Sequence, residues 1–434
     1  MLETFIRSIV RTFFREIVID GEDRLPESGP VIFTPNHPND LLDPLLLYHF
    51  SPRFRIRFVA KSTLFSIPVF GFILRRIGSI PVTRRLDTQG VVDYTAFFGA
   101  CVEALNKGDS IVIFPEGRSL PQPYLAPLKT GPARLFFMAK EKGINAQIVP
   151  VGLNYESGAI FRSSVLISVA PPLNTTPCEE EAKIDSREGI HCLTAEIGRM
   201  LDQHVFQAET FRDRELILLL ERLYSENNIS ELWPERLSRL KEFENGFEEL
   251  RTSHANEIQR LRHLLSRYQK LSSLSGIDVA SQSNPKNRSL ISILAGFAGM
   301  LVATLGVVLN WLPYHLVDFL VKSGKKDESD AATYKIVYSI FLFPITYFFE
   351  GWLLERWFGW SAAILFSILI IPLTYFTLLF WEWRGEAGGI STRSNFWLGG
   401  SSHRITEQLT RIRTQIVEQV NQLASLRKIP SSSS

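Results

Sequence analysis

The apolar positions of the chain follow short runs first and long runs later, and the change divides it. Between about residue 20 and 198, brief apolar stretches bounded by turn residues ("GPVIFTPN", "IRFVAK", "GSIPV", "DSIVIFPEG", "AQIVPVGLNY") alternate with helical stretches such as Val91–Lys107 and Gly131–Lys142. Buried strands alternating with helices predict an α/β domain with a mixed, largely parallel sheet flanked by helices. Ahead of it, residues 1–19 repeat Phe5, Ile9, Phe13 and Ile17 at helical spacing with Arg7, Arg11 and Arg15 on another face. That pattern predicts a basic amphipathic interfacial helix, or one docked on the core. Residues 199–275 are charged and helical, a helical insertion, and 276–288 are a linker. Ser289–Val317 and Trp357–Trp381 then contain no Asp, Glu, Lys or Arg. Both exceed the ~20 residues that cross a bilayer. With the shorter run Ile336–Phe349 between them, residues 289–382 are read as a helical transmembrane region of two or three crossings. Residues 400–428, with Ile405, Leu409, Ile412, Ile416, Val420 and Leu423 in step, form an amphipathic C-terminal helix.

Composition changes this picture little, but the placement of charge does. A net charge of +2 over 434 residues lacks the broad basic surface that a nucleic-acid binder needs. Locally, however, Ser51–Arg85 contains Arg53, Arg55, Arg57, Lys61, Arg75, Arg76, Arg84 and Arg85 with no acidic residue. Either this is a solvated face or it receives anions beside lipid. Cys101, Cys178 and Cys192 have no metal-ligand spacing and are odd in number, so neither a disulfide framework nor a zinc site is expected. A reducing compartment follows from that reading. The first apolar residues are interrupted by arginines, so no signal peptide is read there.

Four blocks carry candidate chemistry, and two of them follow predicted strands at the end where α/β ligands gather. In "TPNHPNDLLDPLLL", Asn36 and Pro38 restrict the backbone around His37, and the turn to Asp43 can bring imidazole and carboxylate together. A carboxylate on one ring nitrogen leaves the other free to take a proton from a hydroxyl. The same letters also suit Asp43 as a helix N-cap with Pro44 at the first helical position. In "GSIPVTRR", Arg84 can hold a phosphate with its forked guanidinium, or lie solvated at a strand end. In "FPEGRSLPQPYLAPLKTG", Glu116 and Gly117 present a carboxylate and an unhindered amide, and Arg118 and Lys129 add positive charge. Such a turn can organise a phosphate or oxyanion, although ordinary salt bridges fit it too. In "IVPVGLNY", Pro150 lies in an apolar strand that can wall an acyl pocket or serve as core. No metal-binding motif is present, and His49 has no evident partner.

In this order and spacing, over about residues 15–175, the four blocks resemble the glycerophospholipid acyltransferase superfamily. "NHPN..LDPLLL", "LKTG" and the apolar C-terminal part look most like its fungal-type glycerol-3-phosphate/dihydroxyacetone-phosphate branch and bacterial relatives. The resemblance implies His37 as general base with Asp43 orienting it. It implies substrate binding by Asn36, Lys61, Arg84, Glu116, Gly117, Arg118, Lys129 and Pro150. Two departures stand out. Five residues (Pro38, Asn39, Asp40, Leu41, Leu42) separate His37 from Asp43 where the family has four, so Asp40 competes for the role. The third block reads "FPEGRS" where "FPEGTRS" is usual, which displaces Arg118.

The activity implied is transfer of a fatty acyl group from acyl-CoA or acyl-carrier protein to glycerol 3-phosphate or dihydroxyacetone phosphate. No further cofactor is expected. The partners implied are these substrates and membrane lipids, with an integral membrane protein whose catalytic domain faces the cytoplasm. A lysophosphatidate or other lysophospholipid acyltransferase would carry the same motifs. A non-catalytic lipid-binding scaffold is the alternative of another class, and a scaffold has no need of His37, Asp43, Glu116 and Gly117 together.

Overall fold

The computed structural model describes residues 2–50, 52–66, 68–83, 92–120, 122–158, 160–224, 233–275, 290–323, 328–388 and 402–427. They divide into two compact units. One comprises residues 1–214, 232–241 and 327–333, and the other residues 215–231, 242–326 and 334–434.

The first unit is built on a seven-stranded sheet. Its strands are β1 (Glu16–Asp20), β2 (Val31–Pro35), β3 (Ile56–Lys61), β4 (Ile80–Val82), β5 (Ser110–Val112), β6 (Gln147–Tyr155) and β7 (Ser164–Val169). They lie in the order β1-β7-β6-β2-β5-β3-β4. All neighbours are parallel except β6 and β7, which pair antiparallel from Val151↔Val169 to Tyr155↔Val165. The sheet is therefore mixed and largely parallel, as the alternation of strands and helices predicts.

Both faces of the sheet are covered, which is why its inner strands read as continuous apolar runs rather than alternating ones. Successive side chains on a strand point to opposite faces. Ile32 joins a cluster with Ile111 and Ile148, packed by α4 (Thr95–Asn106), α5 (Gly131–Glu141) and α7 (Ser186–His204) through Cys101, Leu105, Ala133, Phe136, Leu193, Ile197 and Leu201. Phe33, one position on, stacks on Phe50 at 5.6 Å and meets Phe54 edge-on at 5.5 Å.

Three expectations are corrected here. The N-terminal helix, α1 (Leu2–Phe13), ends before Ile17, which instead lies in β1 paired with Val165. "EIVID" is β-branched enough to continue the sheet, and the helical period of the preceding residues runs into it by coincidence. Ile6, Val10, Phe13 and Phe14 are buried, so α1 docks on the core. Second, Cys178 and Cys192 are joined in a disulfide, with 5.5 Å between their Cα atoms, which removes the ground for reading a reducing compartment from the cysteines. The first lies on α6 (Thr176–Ile184) and the second on α7, consecutive helices whose tight connection at Asp185 folds the two cysteines together. Cys101 is free and buried, and burial pushes its thiol up to about 12. Third, Asp43 is no N-cap. It falls inside α2 (Leu42–Leu47), which has no side-chain cap, and its carboxylate is used elsewhere.

The second unit is helical. Three of its helices, α11 (Leu290–Ser323), α12 (Glu328–Phe358) and α13 (Trp360–Gly388), contain the spans Ala298–Ser323, Thr333–Phe358 and Trp360–Glu382, each long and apolar enough to cross a membrane. Many of their large apolar side chains point outward, among them Leu301, Phe348, Ile368 and Ile371. A water-facing surface of that kind is costly, and a lipid-facing one is not. Where α11 meets α13 the contact is close: a Cβ at Gly306 would collide with Thr377, and one at Gly299 with Phe380. Near mid-span, Asn310 donates to Thr374 at 3.0 Å and accepts from the Tyr347 hydroxyl at 2.6 Å. This joins all three helices through polar groups that satisfy one another, as a hydrocarbon interior would demand. Separately, α10 (Ala255–Ser275) packs on α14 (Ser402–Arg427), with Leu261, Leu265, Leu409 and Ile416 buried.

Candidate active site

The neighbouring parallel strands β6, β2, β5, β3 and β4 end at the same edge of the sheet, so the chain segments that follow them converge. His37 follows β2, Glu116 follows β5, Lys61 ends β3 and Tyr155 ends β6. Four stretches distant in sequence thereby contribute to one region.

His37 and Asp43 meet at its centre. The Nδ1 of His37 lies 2.7 Å from Oδ2 of Asp43, whose side chain is fully buried, while the imidazole is 16% exposed. An ionised carboxylate only accepts, so Nδ1 carries the hydrogen and Nε2 keeps its lone pair. Phe114 stacks beneath the ring with centroids 3.8 Å apart and planes 17° apart, which fixes its tilt. Asp43 has further donors: the Asn39 N–H at 2.8 Å on Oδ2 and the Tyr155 hydroxyl on Oδ1. Three donors offset the desolvation of a carboxylate with no access to water.

The extra residue between His37 and Asp43 is accommodated at Asp40, which takes a φ of +33°. The imidazole bonds to Asp43, and the Asp40 N–H donates to Ser119 Oγ at 3.0 Å. The left-handed turn lets Asn39 close back on Asp43, so a longer spacing still delivers the later carboxylate to the ring.

Glu116 lies against the same loop in an unexpected way. Its Oε1 accepts the main-chain N–H of His37 at 2.6 Å, and its Oε2 accepts that of Ala126 at 3.1 Å. Burial pushes its carboxyl above the ordinary range, an effect that those two N–H donors and His37 oppose and the nearby Asp43 reinforces. With both oxygens committed to backbone, Glu116 braces the His37 loop. Gly117 follows, exposed, with a φ of +74° that favours glycine. A Cβ there would approach Lys129 Cγ to 3.3 Å, so the lysine stem passes directly beside it. The Lys129 N–H bonds Pro115 O at 2.7 Å, closing the loop, and the charged ends of Arg118 and Lys129 face solvent. That leaves two exposed cations beside a glycine near the imidazole.

The other expected residues are placed as follows. Asn36 is buried and pairs its amide with both the N–H and C=O of Leu153, at 2.7 and 3.2 Å, locking β2 to β6. Pro150 is buried in β6 opposite Thr34 of β2, in the strand pair that leads to His37. Lys61 is half-buried at the end of β3. Arg84 lies outside the described residues, two positions beyond the end of β4. His49 is half-buried in a short turn after α2; burial, then Arg11 and Arg7, lower its imidazole below the ordinary value. Among the described residues, no cluster of His, Cys, Asp and Glu is arranged to hold a metal.

No sequence pattern singles out Tyr155, Phe114 or the Asn39 amide. Tyr155 ends the recognisable fourth block, yet nothing in its letters says that a hydroxyl there points at a carboxylate more than a hundred residues earlier.

The part of the chain that holds this site is similar to known proteins. Residues 16–154 match the acyltransferase family model. A chloroplastic 1-acyl-sn-glycerol-3-phosphate acyltransferase of Arabidopsis thaliana is 32% identical over 141 residues, covering 32% of this chain and 36% of that one. Glycerol-3-phosphate O-acyltransferase 1 of Saccharomyces cerevisiae is 24% identical over 307 residues, covering 50% of this chain and 40% of that one. The match thus spans about two fifths or less of either relative. Among solved structures, the 1-acyl-sn-glycerophosphate acyltransferase PlsC of Thermotoga maritima aligns with 18% identity and a TM-score of 0.32, covering 45% of this chain and 78% of that one. That likeness is too distant to bear on the chemistry.

Proposed function

We propose, from the match of residues 16–154 to the acyltransferase family model, that this chain is a membrane-bound O-acyltransferase. It moves a fatty acyl group from a thioester, acyl-CoA or acyl-carrier protein, to the hydroxyl of glycerol 3-phosphate or dihydroxyacetone phosphate. The observation that carries this reading is the imidazole of His37, held by the buried Asp43 and by Phe114, with no partner on Nε2 among the described residues.

In the proposed reaction Nε2 of His37 takes the proton of the acceptor hydroxyl as its oxygen attacks the thioester carbonyl carbon. The tetrahedral intermediate collapses with cleavage of the carbon–sulfur bond. The thiolate leaves and receives the proton back from the imidazolium, giving ester and free thiol. Asp43 stabilises the transient imidazolium. The thioester supplies the activated acyl group, so the proposal includes no cofactor. Arg118, Lys129, Lys61 and Arg84 are assigned to the phosphate of the acceptor. The three apolar helices keep the enzyme at the bilayer that receives its product. We place the catalytic domain on the cytoplasmic side, where these water-soluble substrates are made.

A second reading, with lysophosphatidate as acceptor, is supported by the chloroplastic relative, whose name carries that activity. Purified full-length protein supplied with labelled acyl-CoA and, in parallel, glycerol 3-phosphate, dihydroxyacetone phosphate and lysophosphatidate distinguishes the two. Faster esterification of the first two acceptors is expected. Preference for lysophosphatidate selects the second reading, and no transfer to any acceptor overturns both.

A further inference from the structure

We propose that Tyr155 is a positioning residue of this site, which acts through Asp43 to set the orientation and basicity of His37. The proposal rests on the reading of His37 as a general base and goes beyond the His–Asp pair.

The geometry separates Tyr155 from an ordinary core tyrosine. Its hydroxyl donates to Oδ1 of Asp43, the carboxylate oxygen that His37 does not use. Tyr155 is 6% exposed and Asp43 is wholly buried, so no water can replace the phenol if it is removed. The ring is fixed from two sides. Phe14, just after α1, packs on it at 5.8 Å, and β6 pairs Tyr155 with Val165 of β7. Its carbonyl accepts from Arg214 at 2.5 Å, and that guanidinium in turn lies over Phe206. A hydroxyl held this firmly imposes its geometry on the carboxylate instead of following it.

The electrostatic consequence has a definite sign. Among the described residues, the titratable and charged groups around the dyad include Tyr155 from β6, Asp40 from the His37 loop, Glu116, Arg118 and Lys129 from the loop after β5 and, at the Tyr155 carbonyl, Arg214. The Asp43 carboxylate lies close enough to oppose the ionisation of Glu116. The phenol donor stabilises Asp43 as an anion while His37 is neutral, which is the state that can accept a proton. Without it, the deprotonated dyad is left with a buried, unpaired oxygen beside a second carboxylate. Protonation of the pair then becomes easier, and its apparent pKa rises. The phenol itself stays protonated, because burial and the adjacent Asp43 push it well above its ordinary value. It is a permanent donor.

The test uses full-length protein in detergent or nanodiscs and compares wild type with Tyr155→Phe, which keeps the ring and removes the hydroxyl. Two readouts are taken across pH 5–9. One is the rate at which diethyl pyrocarbonate modifies His37, followed by peptide mass spectrometry; the other is the kcat/KM profile with the acceptor found above. In Tyr155→Phe, both midpoints are expected to move up by about one pH unit, with kcat down about tenfold and the acceptor KM within about twofold. Adding the same change to Asp43→Asn is expected to produce no further shift, because the effect passes through that carboxylate. Phe14→Leu, which loosens the ring but keeps the hydroxyl, should shift the midpoint in the same direction by less, and it serves if Tyr155→Phe does not fold. Midpoints unchanged from wild type overturn the assignment. So does a loss confined to the amount or melting temperature of folded protein. The modification rate needs no turnover, so it tests Tyr155 even if wild type transfers no acyl group, an outcome that would sink the proposed function alone.

Discussion

At the scale of single residues, the site is a small set of side chains whose hydrogen bonds are nearly all committed to one another. Asp43 accepts three donors, and Glu116 accepts two main-chain amides. Among the described residues, no partner is seen for the Nε2 edge of His37 or for the exposed cations at Arg118 and Lys129. A change in a committed group should therefore disturb turnover, and a change beside the cations should disturb binding. Asp43→Asn removes the charge that fixes the imidazole tautomer. By analogy with the loss of ~10⁴-fold when a serine-protease aspartate is so replaced, kcat should fall by orders of magnitude while the acceptor KM changes little. A tenfold loss or less would argue that Asp43 only packs. Gly117→Ala forces a side chain into left-handed backbone against the Lys129 stem. Its expected effect is a several-fold rise in acceptor KM exceeding any fall in kcat, and a kcat-only defect would place Gly117 in the chemistry instead.

At the scale of elements, legibility in the sequence followed the range of the interaction. The strand–helix alternation, the turn residues and the His37–Asp43 block are local, so their letters carry the information. The pairing of β1 with β7 and the bond from Tyr155 to Asp43 join residues more than a hundred positions apart, and no periodicity encodes them. The Cys178–Cys192 bond is closer in sequence, yet it depends on how two helices turn at Asp185, which three scattered cysteines do not reveal. The same distant packing predicts how the folds respond to their surroundings. His49 and His204 are both held below the ordinary imidazole value of 6.5, first by burial, then by Arg11 and Arg7 for the one and Arg24 for the other. The unfolded chain binds these protons first, so stability should be lost as pH falls below about 6.5 toward the folded values. Thermal melts at pH 7.5 and 5.5 should show a lower Tm at the acid pH, reduced in difference by His49→Asn with His204→Asn; an unchanged difference would remove the histidines from the account. Between α11 and α13, Gly306→Leu collides with Thr377 and should weaken helix association enough to lower the melting temperature of the detergent-solubilised protein. A wild-type melting curve would mean that the two helices are not in that contact.

At the scale of the whole molecule, an α/β unit carries a cationic, imidazole-centred site, and a helical unit carries three apolar spans with outward-facing leucines, isoleucines and aromatics. The soluble phosphorylated acceptor and membrane-bound acyl product proposed above would call for that combination. The account depends on one proton transfer. It is tested most directly by purifying the wild-type and His37→Ala chains side by side, confirming that both are folded, and following labelled acyl transfer from acyl-CoA to glycerol 3-phosphate. Wild type should form the acylated product, and His37→Ala should be slower by at least about 10²-fold, the usual worth of general-base catalysis. A folded His37→Ala protein turning over at close to the wild-type rate would contradict it.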